Sequence, residues 1–209
     1  MSLFSGAACN VKIPFSIDAA CDFNQADSDH MTNTPASNGN QRVWTFSAWV
    51  KIDSDNDNRT IFHSNTWPSE PWGLIAIDDS DKFRFQVYSG GSNLRVTSAA
   101  VAEGSWQHLM VAVDTTQASL SNRVKMYKNG SQITSFSNET GFAQNLDTGF
   151  NQTHEHQLGE EAGLGRYFNG EMAQVFMIDG QQLAPSEFAE DVGGTWTAIK
   201  YEGTFGTAG

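Results

Sequence analysis

Residues 105–136, SWQHLMVAVDTTQASLSNRVKMYKNGSQITSF, carry the pattern that decides the fold. In the first part Leu109, Val111 and Val113 fall on one side of an extended chain, with Met110 and Ala112 on the other. Both faces are apolar, so such a strand needs packed layers above and below it. From Arg123 to Lys128, Val124 and Met126 alternate with Arg123, Lys125 and Tyr127, which reads as a second strand with one face on a core. Asn129 and Gly130 follow, a pair that tolerates positive φ at both central positions of a type I′ turn. A third strand should therefore fold straight back from Ser131. Three consecutive antiparallel strands place this stretch at the centre of a sandwich.

Working outward, Val43 to Lys51 (VWTFSAWVK) sets Trp44, Phe46, Ala48 and Val50 against Thr45, Ser47 and Trp49. Thr60–Ser64, Gly73–Ile77, Lys82–Tyr88 and Leu94–Ser98 continue as strands, separated by the turn-forming NTWPSEP, DDSD and SGGSN. Upstream, Val11–Ile17 and Ala20–Phe23 read as short strands before a polar, turn-rich segment. Downstream, 137–153 is polar with Phe142 and Phe150 as inward anchors, and His154–Gly159 is a further strand. Phe168 to Asp179 is apolar enough to require burial on both faces or a bulge. LAPSEFAE suits one helical turn with Pro185 at its first position, and TWTAIKYEGTF should pair back as an edge strand. Roughly a dozen short strands at close turn intervals define an all-β, two-sheet antiparallel sandwich. A single domain over 1–209 is expected, with the core over 13–190 and a tail over 191–209.

The 24 acidic and 12 basic side chains give a formal charge of −12. Phosphate binding relies on clustered Lys and Arg, and no basic run is present, so a nucleic-acid partner is excluded. The opening MSLFSGAACNVKIPF lacks a basic segment followed by a long apolar one, so no secretory signal is expected. No apolar run is long enough for membrane insertion as a helix. Cys9 and Cys21 are expected as free, buried thiols, because a core of this size needs no staple.

Three stretches together resemble a known family. WTFSAWVK at 44–51, SWQHLMVAVD with VKMYKNG, and HQLGEEAGLGRYFNGEMAQVFMIDGQQLAPSEF at 156–188 are similar to laminin G-like and pentraxin-like members of the concanavalin A-like lectin and glucanase superfamily. The specific parts are Trp106 and His108 before a strand, Tyr127, Asn129 and Gly130 at the hairpin, Leu158, Gly159, Phe168 and Gly170 before the last core strand, and Leu183 and Phe188 closing it. The segments FSIDAACDFNQADSDHMTNTP, DTTQASLSNRVKMYKNG, MIDGQQL and IKYEGTFGTAG resemble a branch found in structural proteins of marine bacteriophages. The resemblance implies a jelly-roll fold and a non-enzymatic virion structural protein at the particle surface, as a capsid decoration protein or a tail appendage. It also implies other virion proteins (major capsid or tail proteins) as partners, symmetric homo-oligomers, and synthesis in the host cytoplasm. The chain begins with Met1 and is hardly longer than the module, which favours a self-contained protein. Lectin-like adhesion to a host-surface glycan is a second role, and a stand-alone, calcium-dependent carbohydrate-binding module is the alternative. Trp106, Tyr127 and Phe168 are read as scaffold, being large apolar groups at sheet periodicity.

Candidate chemistry lies in the loops. Trp67 and Trp72 in NTWPSEPWG would stack on sugar rings, with Asn65 and Glu70 offering hydrogen bonds; the competing reading folds both rings onto the protein. Asp53, Asp55 and Asp57 could supply part of a Ca2+ shell, although the distal glutamate and glycine of an EF-hand are missing. Asp78, Asp79 and Asp81 read as a plain hairpin connection. His154 and His156 would share a strand face, with no third metal ligand at a suitable spacing. Hydrolysis of polysaccharide needs two carboxylates facing one bond. Glu160 and Glu161 are adjacent and should point apart, and the E-x-D-x-x-E pattern of the family's glucanases is absent.

Overall fold

The computed structural model describes residues 15–54 and 57–206. In chain order its strands are β1 (Cys21–Phe23), β2 (Met31–Asn33), β3 (Val43–Ile52), β4 (Arg59–Ser64), β5 (Trp72–Ile77), β6 (Lys82–Tyr88), β7 (Ser92–Ala100), β8 (Gln107–Asp114), β9 (Val124–Lys128), β10 (Ser131–Ile133), β11 (Phe136–Glu139), β12 (His156–Leu158), β13 (Glu160–Glu161), β14 (Arg166–Tyr167), β15 (Gly170–Asp179), β16 (Ala189–Val192) and β17 (Thr195–Ala198). A six-stranded sheet runs β1-β15-β3-β8-β9-β10, and a seven-stranded sheet runs β11-β7-β6-β5-β4-β12-β2. These two antiparallel sheets form the expected jelly-roll sandwich.

Strand alternation fills the space between them. Trp44, Phe46, Ala48, Val50 and Ile52 on β3 and Leu109, Val111 and Val113 on β8 are all fully buried. They pack against Ile61, Ile75, Ile77, Phe83, Phe85 and Val87 of the other sheet. Phe142 and Phe150 are the expected inward anchors. Phe142 stacks on Phe85 at 5.2 Å, and Phe150 lies edge-on to Trp44 at 4.9 Å. Asn129 (φ 48) and Gly130 (φ 78) make the turn between β9 and β10. A Cβ at Gly130 would lie 2.8 Å from the Trp196 ring, so glycine is required here by close packing as well as by φ. The long strand β15 carries its bulge between Ala173 and Phe176, with Gln174 at φ 48.

Several expectations are corrected. The C-terminal stretch is not an edge strand of either main sheet. β16 and β17 pair with each other as a separate hairpin. This segment covers the outer face of the six-stranded sheet, where Phe188 and Tyr201 pack on Met110, Ala112 and Ile178. The reason is the second apolar face of β8, which has to be removed from water. A single helical turn, α1 (Leu120–Arg123), separates β8 from β9. The helical turn expected near the C-terminus is present, as a 3-10 turn over Pro185–Glu187 with Pro185 in its first turn. Of the three scaffold residues, Phe168 is fully buried and Tyr127 half-buried, but Trp106 is 36% exposed. It precedes β8 and stands at the sheet's margin. Cys21 is exposed, not buried, because it lies on the edge strand β1. Cys9, and with it any pairing of the two cysteines, lies outside the described residues. So do residues 11–14 of the first expected strand, whose remainder, 15–17, is not extended into a sheet.

Candidate functional site

The outer face of the seven-stranded sheet is built from rows set by register. Thr60, Ala76 and Arg84 form one row; Gln157, His63, Leu74 and Gln86 form the next; Trp72 and Tyr88 end the face. Trp72 stacks on Tyr88 with ring centroids 5.6 Å apart and planes 11° from parallel. The hairpin of β13 and β14 lies against β4 and brings in Glu161, whose carboxylate accepts a hydrogen bond from Arg166 Nη1 at 3.1 Å. His63 is buried, which holds its imidazole below the ordinary histidine range, with Glu161 and Gln157 acting in the opposite direction. Its Nδ1 faces Gln157 Oε1 at 3.2 Å, so Nδ1 carries the hydrogen and Nε2 keeps a lone pair. Burial also lowers the Arg84 guanidinium, against the attraction of Glu161. His63 Nε2, Arg84 Nε, Trp72 Nε1 and Thr60 Oγ1 lack hydrogen-bond partners. Unpaired buried polar atoms are rare in native proteins, so their concentration here distinguishes this face.

Loop 65–71 stands over the aromatic end. Asn65 (φ 69) donates from Nδ2 to the carbonyls of Ser69 and Pro71, at 3.3 and 3.0 Å, and closes the loop on itself. Glu70 Oε2 accepts the Gly90 N–H at 2.9 Å, tying the loop to the turn between β6 and β7. On its other side the Trp67 N–H donates to the Ala162 carbonyl at 3.2 Å. Gly163 (φ +86) permits that approach, since a Cβ there would lie 2.8 Å from the Trp67 carbonyl oxygen. Held from both sides, Trp67 presents a ring that is 41% exposed, edge-on to Trp72 at 5.7 Å.

The four residues singled out for glycan contact thus come together with different roles. Trp67 is the exposed ring. Trp72, 4% exposed, supports it from beneath. Asn65 and Glu70 hold the loop in shape. Tyr88, His63 and Arg84 are not singled out by sequence, and Glu161 is weighed there only as half of a carboxylate pair. Tyr88 was within reach, because the tight DDSD turn fixes β5 against β6 and places residue 88 opposite residue 72. Glu161 reaches this face only through a tertiary contact, for which the sequence has no local signal.

The remaining candidates are placed as follows. Asp53 and Asp57 are exposed, and Asp55 lies outside the described residues. Asp57 accepts the Asn58 N–H at 2.7 Å and the Gln25 amide at 3.3 Å. Asp53 takes part through its backbone, its N–H donating to the Asn169 carbonyl at 3.1 Å. Among the described residues no three His, Cys, Asp or Glu side chains converge as a metal-binding group. Asp78 is the hairpin connection that was expected, its Oδ1 accepting the N–H groups of Ser80 and Lys82. Strand β12 begins only at His156, so His154 and His156 do not share a strand face. The buried His156 stacks on Phe62 at 5.7 Å, and its pKa is lowered chiefly by burial. The adjacent carboxylates diverge: Glu160 meets His30 Nε2 at 3.3 Å, while Glu161 meets Arg166.

With two packed antiparallel sheets and an aromatic loop at one rim, the molecule has the architecture of a lectin-type sandwich. Residues 25–187 match the laminin G-like model described as the concanavalin A-like lectin/glucanases superfamily, and the chain belongs to that family. No curated protein sequence matches it. Among solved structures it is similar to domain 4 of AbnA, a GH43 extracellular arabinanase from Geobacillus stearothermophilus solved with arabinotriose. The identity is 20%, the TM-score 0.57, and the match covers 80% of this chain and 73% of that one. Mouse laminin α1 chain domains LG4-5 match at 14% identity and TM-score 0.56, over 89% and 48% of the two chains. The full-length tailspike protein 2 of the Escherichia coli O157:H7 bacteriophage CAB120 matches at 13% identity and TM-score 0.56, over 81% of this chain and 23% of the tailspike. At these identities the likeness is one of fold.

Proposed function

We propose that this is a non-catalytic carbohydrate-binding protein carried on the surface of a bacteriophage particle, where it packs against capsid or tail proteins and contacts host glycans. The observation that carries the glycan reading is Trp67: a large ring kept exposed by a loop that is hydrogen-bonded on both flanks. An ordered, exposed indole loses little freedom when a sugar ring stacks on it, so its apolar face is available at low entropic cost. Family membership and the arabinanase domain solved with arabinotriose support the same class of ligand. The particle setting is supported by the resemblance of residues 15–35, 114–130, 177–183 and 199–209 to phage structural proteins, and by the tailspike of the same fold. The diverging carboxylates of Glu160 and Glu161 support a binding role without hydrolysis.

A glycan array probed with the wild-type protein should give a defined set of signals. Trp67→Ala should remove the signals that depend on the loop while leaving the thermal unfolding midpoint unchanged, because the ring is a surface group. An array in which every signal keeps its full strength in this variant would exclude the loop. Repeating the array with a chelator tests whether the Asp53 to Asp57 loop contributes Ca2+. Purified particles should contain the chain in a fixed, symmetry-related copy number, whereas finding it only in free form would favour a stand-alone adhesion module. Release of reducing ends from a bound polysaccharide would assign hydrolysis instead.

A further inference from the structure

A second site lies on the opposite side of the sandwich, on the outer face of the six-stranded sheet. There, residues 15–20 and the hairpin of β16 and β17 leave between them a cleft of about 530 Å3. Trp49, Trp106 and Trp196 line it, with Phe15, Asp18 and Glu171. The floor is preorganised. Trp49 stacks on His108 at 5.3 Å, Trp196 stacks on the same imidazole at 6.2 Å, and the Trp196 indole N–H donates to His108 Nδ1 at 3.1 Å. Trp106 makes no ring contact with the other two and remains 36% exposed at the mouth. An exposed indole at the edge of an open volume is available as a stacking surface, because its apolar face gains when a ligand ring covers it.

The polar groups narrow the ligand. Glu171 Oε1 is paired with Lys51 Nζ at 2.6 Å, and Asp18 Oδ1 accepts the Ser16 hydroxyl at 2.6 Å. Each carboxylate keeps a second oxygen able to accept from a ligand hydroxyl. The Trp49 Nε1–H is buried beneath the floor and does not open on the cleft. Aromatic faces with acceptors on the rim match a pyranose or furanose ring, which offers apolar C–H faces and hydroxyls around its edge. The carboxylates disfavour an anionic sugar. Glu171 is already neutralised by Lys51, which leaves Asp18 as the rim carboxylate that could draw a cation, and a cationic ligand is the competing occupant that the charged control tests. We infer that this cleft is a second carbohydrate site, specific for an uncharged sugar unit and independent of the Trp67 loop.

The test uses the full-length Trp67→Ala protein, so that the first site is silent, and a panel of neutral gluco-, manno-, galacto-, xylo- and arabino-oligosaccharides, with sialyllactose and tetramethylammonium as charged controls. Indole oxidation read by peptide mass spectrometry should show Trp106 reactive in the free protein and protected by at least one neutral member of the panel. Adding Trp106→Ala should weaken that binding about tenfold or more, measured by calorimetry. Trp49→Phe, which keeps a ring in the floor, should preserve the fold and most of the binding. Protection by no neutral saccharide, or protection only by tetramethylammonium or sialyllactose, would overturn the inference. So would a Trp106 that is unreactive before any sugar is added, since the cleft would then already be filled. Array signals lost in Trp67→Ala bear on the loop, and signals that survive it but fall on adding Trp106→Ala bear on the cleft, so the two readings fail separately.

Discussion

Val111 occupies the middle of β8, fully buried, with Phe46 opposite on one side and Met126 on the other. An aspartate there would bury a carboxylate between two hydrophobic layers with no cation to meet it, a cost of several kcal/mol and comparable to the whole stability of a domain. Val111→Asp is therefore expected to abolish the cooperative unfolding transition in circular dichroism; a variant that melts like wild type would remove β8 from the core. His108, on the other face of the sheet, gives a graded effect. Its Nδ1 accepts from the Trp196 indole, so the hydrogen sits on Nε2 and faces the Ser47 hydroxyl at 2.8 Å. Burial lowers its pKa from 6.5 to about 4. As pH falls below 6.5 the unfolded chain takes up a proton that the folded chain refuses. Stability then drops until about pH 4 and levels off below both values. At about 1.36 kcal/mol per unit this amounts to roughly 3 kcal/mol. His63 and His156, both lowered by burial, add to the slope in the same sense. Urea unfolding at about pH 7 and about pH 4.5 should show the loss, and His108→Gln should reduce it. An unchanged slope in that variant would clear His108 of the effect.

At the scale of elements, the β16 and β17 hairpin acts as a cover for the six-stranded sheet. Tyr201 and Phe188 stack at 5.1 Å over Met110, Ala112 and Ile178. Tyr201→Ala should cost about 2 to 3 kcal/mol, below the usual range for a fully enclosed aromatic because its hydroxyl end reaches the surface. A chain stopped after Val192 loses Trp196, Ala198 and Tyr201 together. It should bind a hydrophobic dye and self-associate in size-exclusion chromatography, whereas a monomer without dye binding would show the cover to be dispensable. The need for such a cover was legible in residues 105–136, where Met110 and Ala112 made the second face of the strand apolar. What would cover it was not, since alternation in TWTAIKYEGTF indicates an extended chain without naming its partner. The same limit explains the rest. The Asn129–Gly130 turn, the β15 bulge and the inward Phe142 and Phe150 follow from local pattern. The exposure of Trp106 depends on where residues 15–20 and 195–198 come to lie, and the Trp72, Tyr88, His63, Glu161 patch is assembled from four separate segments. Trp67 could be singled out because prolines and polar residues around an aromatic ring mark a loop, although its partition into exposed Trp67 and buried Trp72 needed the tertiary fold.

For the molecule as a whole, charge decides which sugars can approach. The formal charge is −12, and at least six of the twelve basic side chains are already engaged with carboxylates. Arg42 with Asp147 and Lys51 with Glu171 are surface examples, each cation's pKa raised by its partner. Few cations are therefore left to attract an anionic polymer, and the long-range field repels it. Binding to a neutral glycan must come from stacking and hydrogen bonding, which act over a few ångströms and are not screened by salt as Coulomb forces are. Raising salt from about 50 mM to about 500 mM, which cuts the screening length to a few ångströms, should leave calorimetric affinity for a neutral oligosaccharide within about twofold. An acidic polysaccharide should bind weakly and gain affinity over the same range as repulsion is screened. A neutral glycan whose affinity collapses with salt would mean that an ion pair, not the Trp67 ring, holds it.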